Sequence, residues 1–137
     1  MHVFTRIVEV SSSEKFQLIN ITGYVEKIVR ESNVKNGICL IFVPHATAAL
    51  IANENETGLI RDILNQLREL IPPNKPWLHN RIDDNAHAHI ASAIIGAHLV
   101  FPILNGQLLR GTWQEIFLVE MDGPRSSRKV VVQVLGE

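Results

Sequence analysis

Six histidines stand at positions 2, 45, 79, 87, 89 and 98 of a 137-residue chain. Four of them fall between residues 45 and 89, the clustering a metal or phosphate site would show. A borderline cation such as zinc takes neutral imidazoles, and a catalytic site commonly uses three protein ligands with a fourth position left for water or substrate. His45, His79 and His89 could supply that trio. No standard spacing supports it, because neither a His-Glu-x-x-His helix nor a paired cysteine occurs. His87 and His89 are two apart, so on a helix they point roughly 200° away from each other and only one can face a shared site. Each histidine could instead hold ordinary surface or supporting hydrogen bonds.

Among the carboxylates near these histidines, Glu54 ends an apolar stretch and could be partly desolvated, able to serve as acid, base or hydrogen-bond partner. A solvated loop charge is the equal alternative. Asp62, set among helical apolar residues, reads locally as a solvated helix face, and Asp83 and Asp84 lie just before the last histidine pair. Two further stretches could hold an anion. Gly111-Thr112-Trp113-Gln114 puts a glycine, a hydroxyl and an amide together. Arg125 and Arg128 flank Ser126-Ser127 after an Asp122-Gly123-Pro124 turn, offering guanidinium and hydroxyl donors. Plain strand and loop roles fit both stretches as well. Trp77 and Trp113 could stack on a ring or simply pack.

The elements that must carry these groups follow from periodicity. Val3 to Val10 is rich in β-branched residues and reads as a half-buried strand. Val25, Ile28 and Val29 recur at helical spacing from Thr22, with Thr22 and Glu26 serving the start, and the helix should run to about Ser32. Ile38 to Val43 is a continuous apolar run bounded by Pro44, the pattern of a central strand covered on both faces. His45 to Glu54 is rich in small residues and is assigned to strand. Thr57 to Ile71 places Leu59, Ile60, Ile63, Leu64, Leu67, Leu70 and Ile71 on one helical face until Pro72-Pro73 stops it. A long loop runs to Arg81. A third helix capped by Asp83 or Asp84 should pass through Ile90 and Ile94 to Gly96. Segments Leu99–Leu104, Gln107–Leu109, Trp113–Met121 and Lys129–Leu135 are divided by turn signals and predict an antiparallel meander. Strands at both ends with helices between them indicate α+β, as one domain over residues 1–137.

Bulk properties exclude several functions. Thirteen basic and fourteen acidic residues give a net charge of -1, so no global field draws nucleic acid or an anionic membrane. No apolar run approaches the roughly 20 residues that span a bilayer. The opening Met1-His2-Val3-Phe4 lacks the pattern of a secretory signal, which predicts a cytoplasmic protein. Cys39 is the single cysteine, set in an apolar run that suggests a buried thiol without a catalytic role.

With these segments in place the chain resembles the YjbQ-like family, whose members are named secondary thiamine-phosphate synthases. The likeness is nearly full length. It rests on Pro44-His45-Ala46-Thr47-Ala48-Ala49-Leu50, Asn53-Glu54, Asp62, the His79 loop, Asp84-Asn85 with Ala88-His89, Gly111-Thr112-Trp113-Gln114, Glu120-Met121-Asp122-Gly123-Pro124-Arg125 and Arg128. The resemblance implies a compact α+β fold on a curved, largely antiparallel sheet, sandwich- or barrel-like, with about three helices, and a homotrimer with sites near subunit boundaries. It implies that His45, His79 and His89 converge on a divalent metal, zinc or magnesium, or on a substrate phosphate. Glu54, Asp62 and Asn85 fall on motif positions as catalytic or positioning groups, and Thr47, Thr112, Gln114 and Arg128 as phosphate donors. His87 matches no family histidine and competes with His89.

The activity implied is that of a transferase coupling a pyrimidine methyl diphosphate to a thiazole phosphate with release of diphosphate. The word "secondary" keeps two other classes open. One is a metal-dependent hydrolase of a small phosphate or amide, with Glu54 as base; the other is a trimeric module that binds an anionic metabolite without converting it.

Overall fold

A computed structural model describes all residues from Met1 to Glu137. In chain order it contains β1 (His2–Val10), β2 (Gln17–Asn20), α1 (Thr22–Ser32), β3 (Gly37–Phe42), β4 (Ala48–Asn53), α2 (Thr57–Leu70), a short 3-10 turn (Leu78–Arg81), α3 (Ala86–Ile95), β5 (His98–Leu104), β6 (Gln107–Leu108), β7 (Glu115–Glu120) and β8 (Arg128–Gly136). The strands make one five-stranded sheet in the order β1-β8-β3-β5-β6 and one three-stranded sheet in the order β2-β7-β4. Every neighbouring pair is antiparallel. This is the expected single α+β domain with three helices and a curled antiparallel sheet.

Layering explains which residues are apolar. The main core joins Val25, Ile28 and Val29 of α1 to Cys39 and Ile41 of β3, Ile116 and Leu118 of β7, and Val130, Val132 and Val134 of β8. A second core lies on the other side of the small sheet, where Phe16, Ala49, Val119 and Met121 meet Ala88 and Ala91 of α3, with Leu64 and Leu67 of α2 alongside. Strand β7 is therefore covered on both faces, so its run Ile116-Phe117-Leu118-Val119 has no polar alternation.

Three expectations need correction. The last four strands do not form a meander. Only β5 and β6 pair in sequence, whereas β7 joins β2 and β4, and β8 inserts between β1 and β3; such long-range pairing leaves no local signal. Strand β3 is central, as expected, but within one chain it is covered on only one face. Cys39 and Ile41 point inward while Ile38 and Phe42 are 45% and 40% exposed. The caps also differ. Asn85, not Asp83 or Asp84, precedes α3, and the Asn80 side chain of the 3-10 turn accepts the Ala86 N–H at 3.2 Å. At α1 the Asn20 side chain accepts from the Thr22 amide at 3.0 Å, while the Thr22 hydroxyl accepts the Ile116 N–H. Gly96 ends α3 with φ 103°, a left-handed conformation that glycine adopts without strain.

Candidate functional site

Two histidines of the expected trio meet. Pro72-Pro73 ends α2, and the Trp77 indole N–H donates to the Pro72 carbonyl at 2.8 Å, which fixes the loop's return. The chain then winds into the 3-10 turn, and the Asn80 contact to Ala86 docks that turn on the start of α3. The consequence is that His79 and His89 lie edge to face with ring centroids 4.7 Å apart. Beside them opens a cleft of about 460 Å³ lined by Trp77, Leu78, His79, Ala86, His89 and Ile90. His89 also borders a second cleft of about 380 Å³ with Ala46, Ser92, Ala93, Gly96 and Ala97, so it looks both toward the ring-lined wall and toward the loop that bears His45.

His45 is held differently. Its Nε2 accepts the backbone N–H of Lys129 at 2.8 Å. Burial lowers its pKa, and Arg128, Arg125 and Lys129 add to the lowering against a smaller opposing effect of Glu120. Two residues on, Thr47 is buried, and both its hydroxyl (3.0 Å) and its carbonyl (3.3 Å) accept from the Arg128 guanidinium. Arg128 in turn makes a two-pronged pair with Glu120, and Glu120 also accepts the Ser12 hydroxyl at 2.6 Å. Glu120 is 0% and Arg128 2% exposed. Burial alone would push the Glu120 carboxyl up; the bonds from Arg128, Ser12 and the Asp122 amide outweigh it and hold the carboxyl below its ordinary range. Arg128, through Nε and Nη2, and Thr47 thus form an internal clasp that joins β7, β8 and the loop before β4.

The implied metal can be tested against this donor set. No three histidine, cysteine, aspartate or glutamate side chains converge as a metal would require. His79 and His89 pair without a third ligand, and the Nε2 lone pair of His45 is already occupied by Lys129. The residues of one chain do not fit a three-histidine cation.

The remaining candidates are dispersed. Asn85 is buried; its amide donates to Asp122 Oδ2 at 2.8 Å, and its own carbonyl oxygen has no partner. Asp122 also receives Arg125 at 2.8 Å and Lys15 at 3.3 Å. Burial works against its charge, yet these bonds keep its carboxyl lowered. Glu54 lies apart from the histidines, in a cleft of about 250 Å³ with Asn55, Thr112, Trp113 and Glu115. Two carboxylates there make Thr112 a poor neighbour for phosphate. Gln114 closes its own turn, its side-chain oxygen accepting from Gly111 N at 2.7 Å. Asp62 is exposed on α2. His87 is the opposite of a ligand at a mouth: it is 2% exposed, packs against Phe16 at 5.4 Å, and neither ring nitrogen has a partner. Cys39 is buried, and burial raises its thiol to about 12, which removes it as a nucleophile.

Sequence reasoning missed Ser12 and named Glu120 and Asp122 only as motif positions, without a role. One signal was available: Glu120 is a carboxylate at the end of the uninterrupted apolar run Ile116–Val119, eight residues before Arg128, and a buried acid needs a buried partner.

Comparison with known proteins decides the family. The family described as "UPF0047 protein YjbQ-like" matches residues 6–137. This chain belongs to the YjbQ-like UPF0047 family. A UPF0047 protein of Methanothermobacter thermautotrophicus is 38% identical over 137 residues, covering 100% of this chain and 95% of that protein. The YugU member from Bacillus subtilis is 32% identical over 135 residues, covering 96% and 98%. The crystal structure of a YbjQ-like protein of unknown function from Sulfolobus solfataricus superimposes with a TM-score of 0.98 at 54% identity, covering 99% of both chains. A hypothetical protein of Aeropyrum pernix gives 0.94 at 44% identity, covering 97% and 98%. The YjbQ-like fold is thus held in common, and none of these names carries an activity.

Proposed function

We propose that this YjbQ-like chain is a transferase of the thiamine-phosphate synthase type, joining a pyrimidine methyl diphosphate to a thiazole phosphate with loss of diphosphate. The observation that carries the reading is the cleft in which His79 and His89 meet beside Trp77, Leu78, Ala86 and Ile90. A flat apolar wall suits a heteroaromatic ring, and imidazoles at the same mouth suit phosphate oxygens. In such a coupling a C–N bond forms while the C–O bond to diphosphate breaks, so negative charge grows on the leaving oxygens. Donors set in advance stabilise that charge, and little proton transfer is needed. No step here is routed through a protein-bound metal; magnesium commonly arrives bound to substrate phosphates. The test is product formation from the two named substrates: turnover should be lost in His79→Ala and in His89→Ala, and turnover unchanged in both variants rejects the reading.

One observation favours a non-catalytic binding module instead: Glu54, the expected base, stands in a different cleft from the histidine pair. Tight binding of the substrates without product under any divalent cation would select it.

The reading includes a homotrimer working in the cytoplasm. Support for assembly comes from the outer face of the larger sheet, where Val3, Ile7, Ile38, Phe42, Val100 and Leu104 are all exposed on neighbouring strands. An apolar face of this breadth marks an interaction surface. A lone free cysteine suits a reducing compartment, and no helix is long and apolar enough to cross a membrane. Sedimentation equilibrium should give three times the chain mass, and Ile38→Glu combined with Phe42→Lys should give the single chain; monomeric wild type rejects the assembly.

A further inference from the structure

Glu26 and Arg30 stand one turn apart on α1, in the order and spacing at which a carboxylate and a cation ordinarily pair along a helix. Here they do not pair. Glu26 turns instead to Arg110, whose Nε lies 3.5 Å from Glu26 Oε2, and Arg30 enters no ion pair of the chain. Arg110 is itself anchored: its Nη1 donates to the Gln114 carbonyl at 2.7 Å and lies 2.9 Å from Glu115 Oε2. The carboxylate on α1 is therefore held in place, while the guanidinium one turn later is left uncommitted.

Both side chains border one cleft. It measures about 230 Å³ and is lined by Glu26, Arg30, Gln107 and Leu108, where α1 passes the short strand β6. It shares no residue with the histidine clefts or with the Glu54 cleft. Leu108 is buried and supplies the one apolar contact. Gln107 is exposed, and its amide can donate or accept. The Arg110 Nε beside Glu26 is buried without a hydrogen-bond partner, and a buried donor left unbonded marks a polar network that lacks one of its members.

This lining sets the chemistry of a ligand. Arg30 and Arg110 carry positive charge, and Glu26 and Glu115 carry an equal negative charge, so the cleft matches a molecule of no net charge whose two ends are oppositely charged. A guanidinium takes a carboxylate through parallel hydrogen bonds, and a fixed carboxylate takes an ammonium. The volume falls below the roughly 300–1,000 Å³ of drug-sized pockets, which excludes a nucleotide and leaves room for a few carbon atoms. We propose that the cleft between α1 and β6 binds a small amino-acid-type zwitterion, its carboxylate on Arg30 and Gln107, its ammonium on Glu26 and a short aliphatic side chain against Leu108. Arg110 is a positioning residue that holds Glu26. The site owes nothing to the transferase reading and stands or falls separately from it.

The test titrates the full chain, labelled with nitrogen-15, with L-valine and with its two halves: isovalerate, which lacks the ammonium, and isobutylamine, which lacks the carboxylate. L-Valine should bind with a dissociation constant on the order of 1 mM, within reach of so few atoms, and the amide shifts should centre on Arg30, Gln107 and Leu108. Each half should bind about tenfold more weakly or worse, the usual worth of a hydrogen bond to a charged group. Arg30→Gln, at an exposed position, should keep the wild-type spectrum outside the cleft and weaken L-valine by about tenfold or more. Glu26→Gln should weaken L-valine similarly without weakening isovalerate. No shift at a concentration about twentyfold above that constant, L-valine bound equally well by Arg30→Gln, or isovalerate bound as tightly as L-valine would each overturn the assignment.

Discussion

The cleft beside α3 and the clasp between β7 and β8 are built from the same kinds of residue and put to opposite uses. In the clasp the charged groups are engaged with one another: Arg128 Nε and Nη2 with Glu120 and Thr47, and Glu120 with Arg128, Ser12 and the backbone of the turn that follows. At the cleft His79 and His89 touch each other and an apolar wall, with no side-chain partner consuming them. A charged residue on a family motif can therefore be functional because it is free or because it is fully engaged. Only the hydrogen-bond inventory separates the two. That distinction makes the clasp a matter of folding and the cleft a matter of binding, and each can be tested by asking which property a substitution changes.

The largest effect should come from breaking the clasp. Glu120→Ala leaves the Arg128 guanidinium buried without its counter-charge, and removing one partner of a buried pair typically costs about 3–5 kcal/mol. Urea titration should show that loss in unfolding free energy, while Glu120→Gln, which keeps an acceptor for Arg128, should lose less. A Glu120→Ala protein as stable as wild type would mean the clasp is ornamental and Arg128 is free to serve a ligand after all.

Next comes the cleft, where the signature should invert. His89→Ala should lower turnover or substrate affinity by about a hundredfold, the scale on which a positioned imidazole acts, and leave unfolding free energy within about 0.5 kcal/mol, as for other partly exposed substitutions. If instead stability fell and binding held, the histidine pair would be packing, and the comparison between the two regions would collapse.

How far this contrast was legible beforehand depends on the range of the interactions. Helices α1, α2 and α3 were readable because their apolar residues repeat within the element, and His79 and His89, singled out by the clustering of histidines, do meet edge to face. The placement of β8 between β1 and β3 was not, since register with Val3–Val10 is set across more than a hundred residues. The same distance hid the polarity of His45, whose partner amide lies 84 residues away. Arg128 stood out through its serine and arginine sequence neighbours, whereas its observed partners are Glu120 of β7 and Thr47 of the loop before β4. The double coverage expected for Ile38–Val43 is not met within the chain, where Ile38 and Phe42 stay exposed, because a continuous apolar run does not say what covers its second face.

Acidification should sharpen the contrast more gently. Glu120 and Asp122 are held below ordinary carboxylate values by their partners despite burial. A depressed folded pKa contributes stability that is present above the unfolded value, about 4 for these groups, and is lost as pH falls through the folded value. The contribution of these two carboxylates to unfolding free energy should therefore stay level from pH 6 to about pH 4 and then drop. In Glu120→Gln the drop should be shallower, because one of the two groups no longer titrates.

The smallest effect concerns His87, which belongs to neither region and separates burial from partnership. Burial lowers its pKa, with Lys15 adding to the lowering, while the Met121 carbonyl, Asp122 and Asp84 oppose it. The Met121 contact falls short of hydrogen-bond geometry, since both ring nitrogens lack partners, so desolvation governs. The folded chain then prefers neutral imidazole, whereas the unfolded chain takes up a proton near pH 6.5. Stability from this group is complete above that pH and declines as pH falls below it, by at most about 1.4 kcal/mol per pH unit for one proton. His87→Leu should flatten the stability profile between pH 6.5 and pH 5 without touching the clasp-dependent fall below pH 4. A slope that survives the substitution would assign the effect to the partly buried His45, and the two histidines would then have exchanged their places in the comparison.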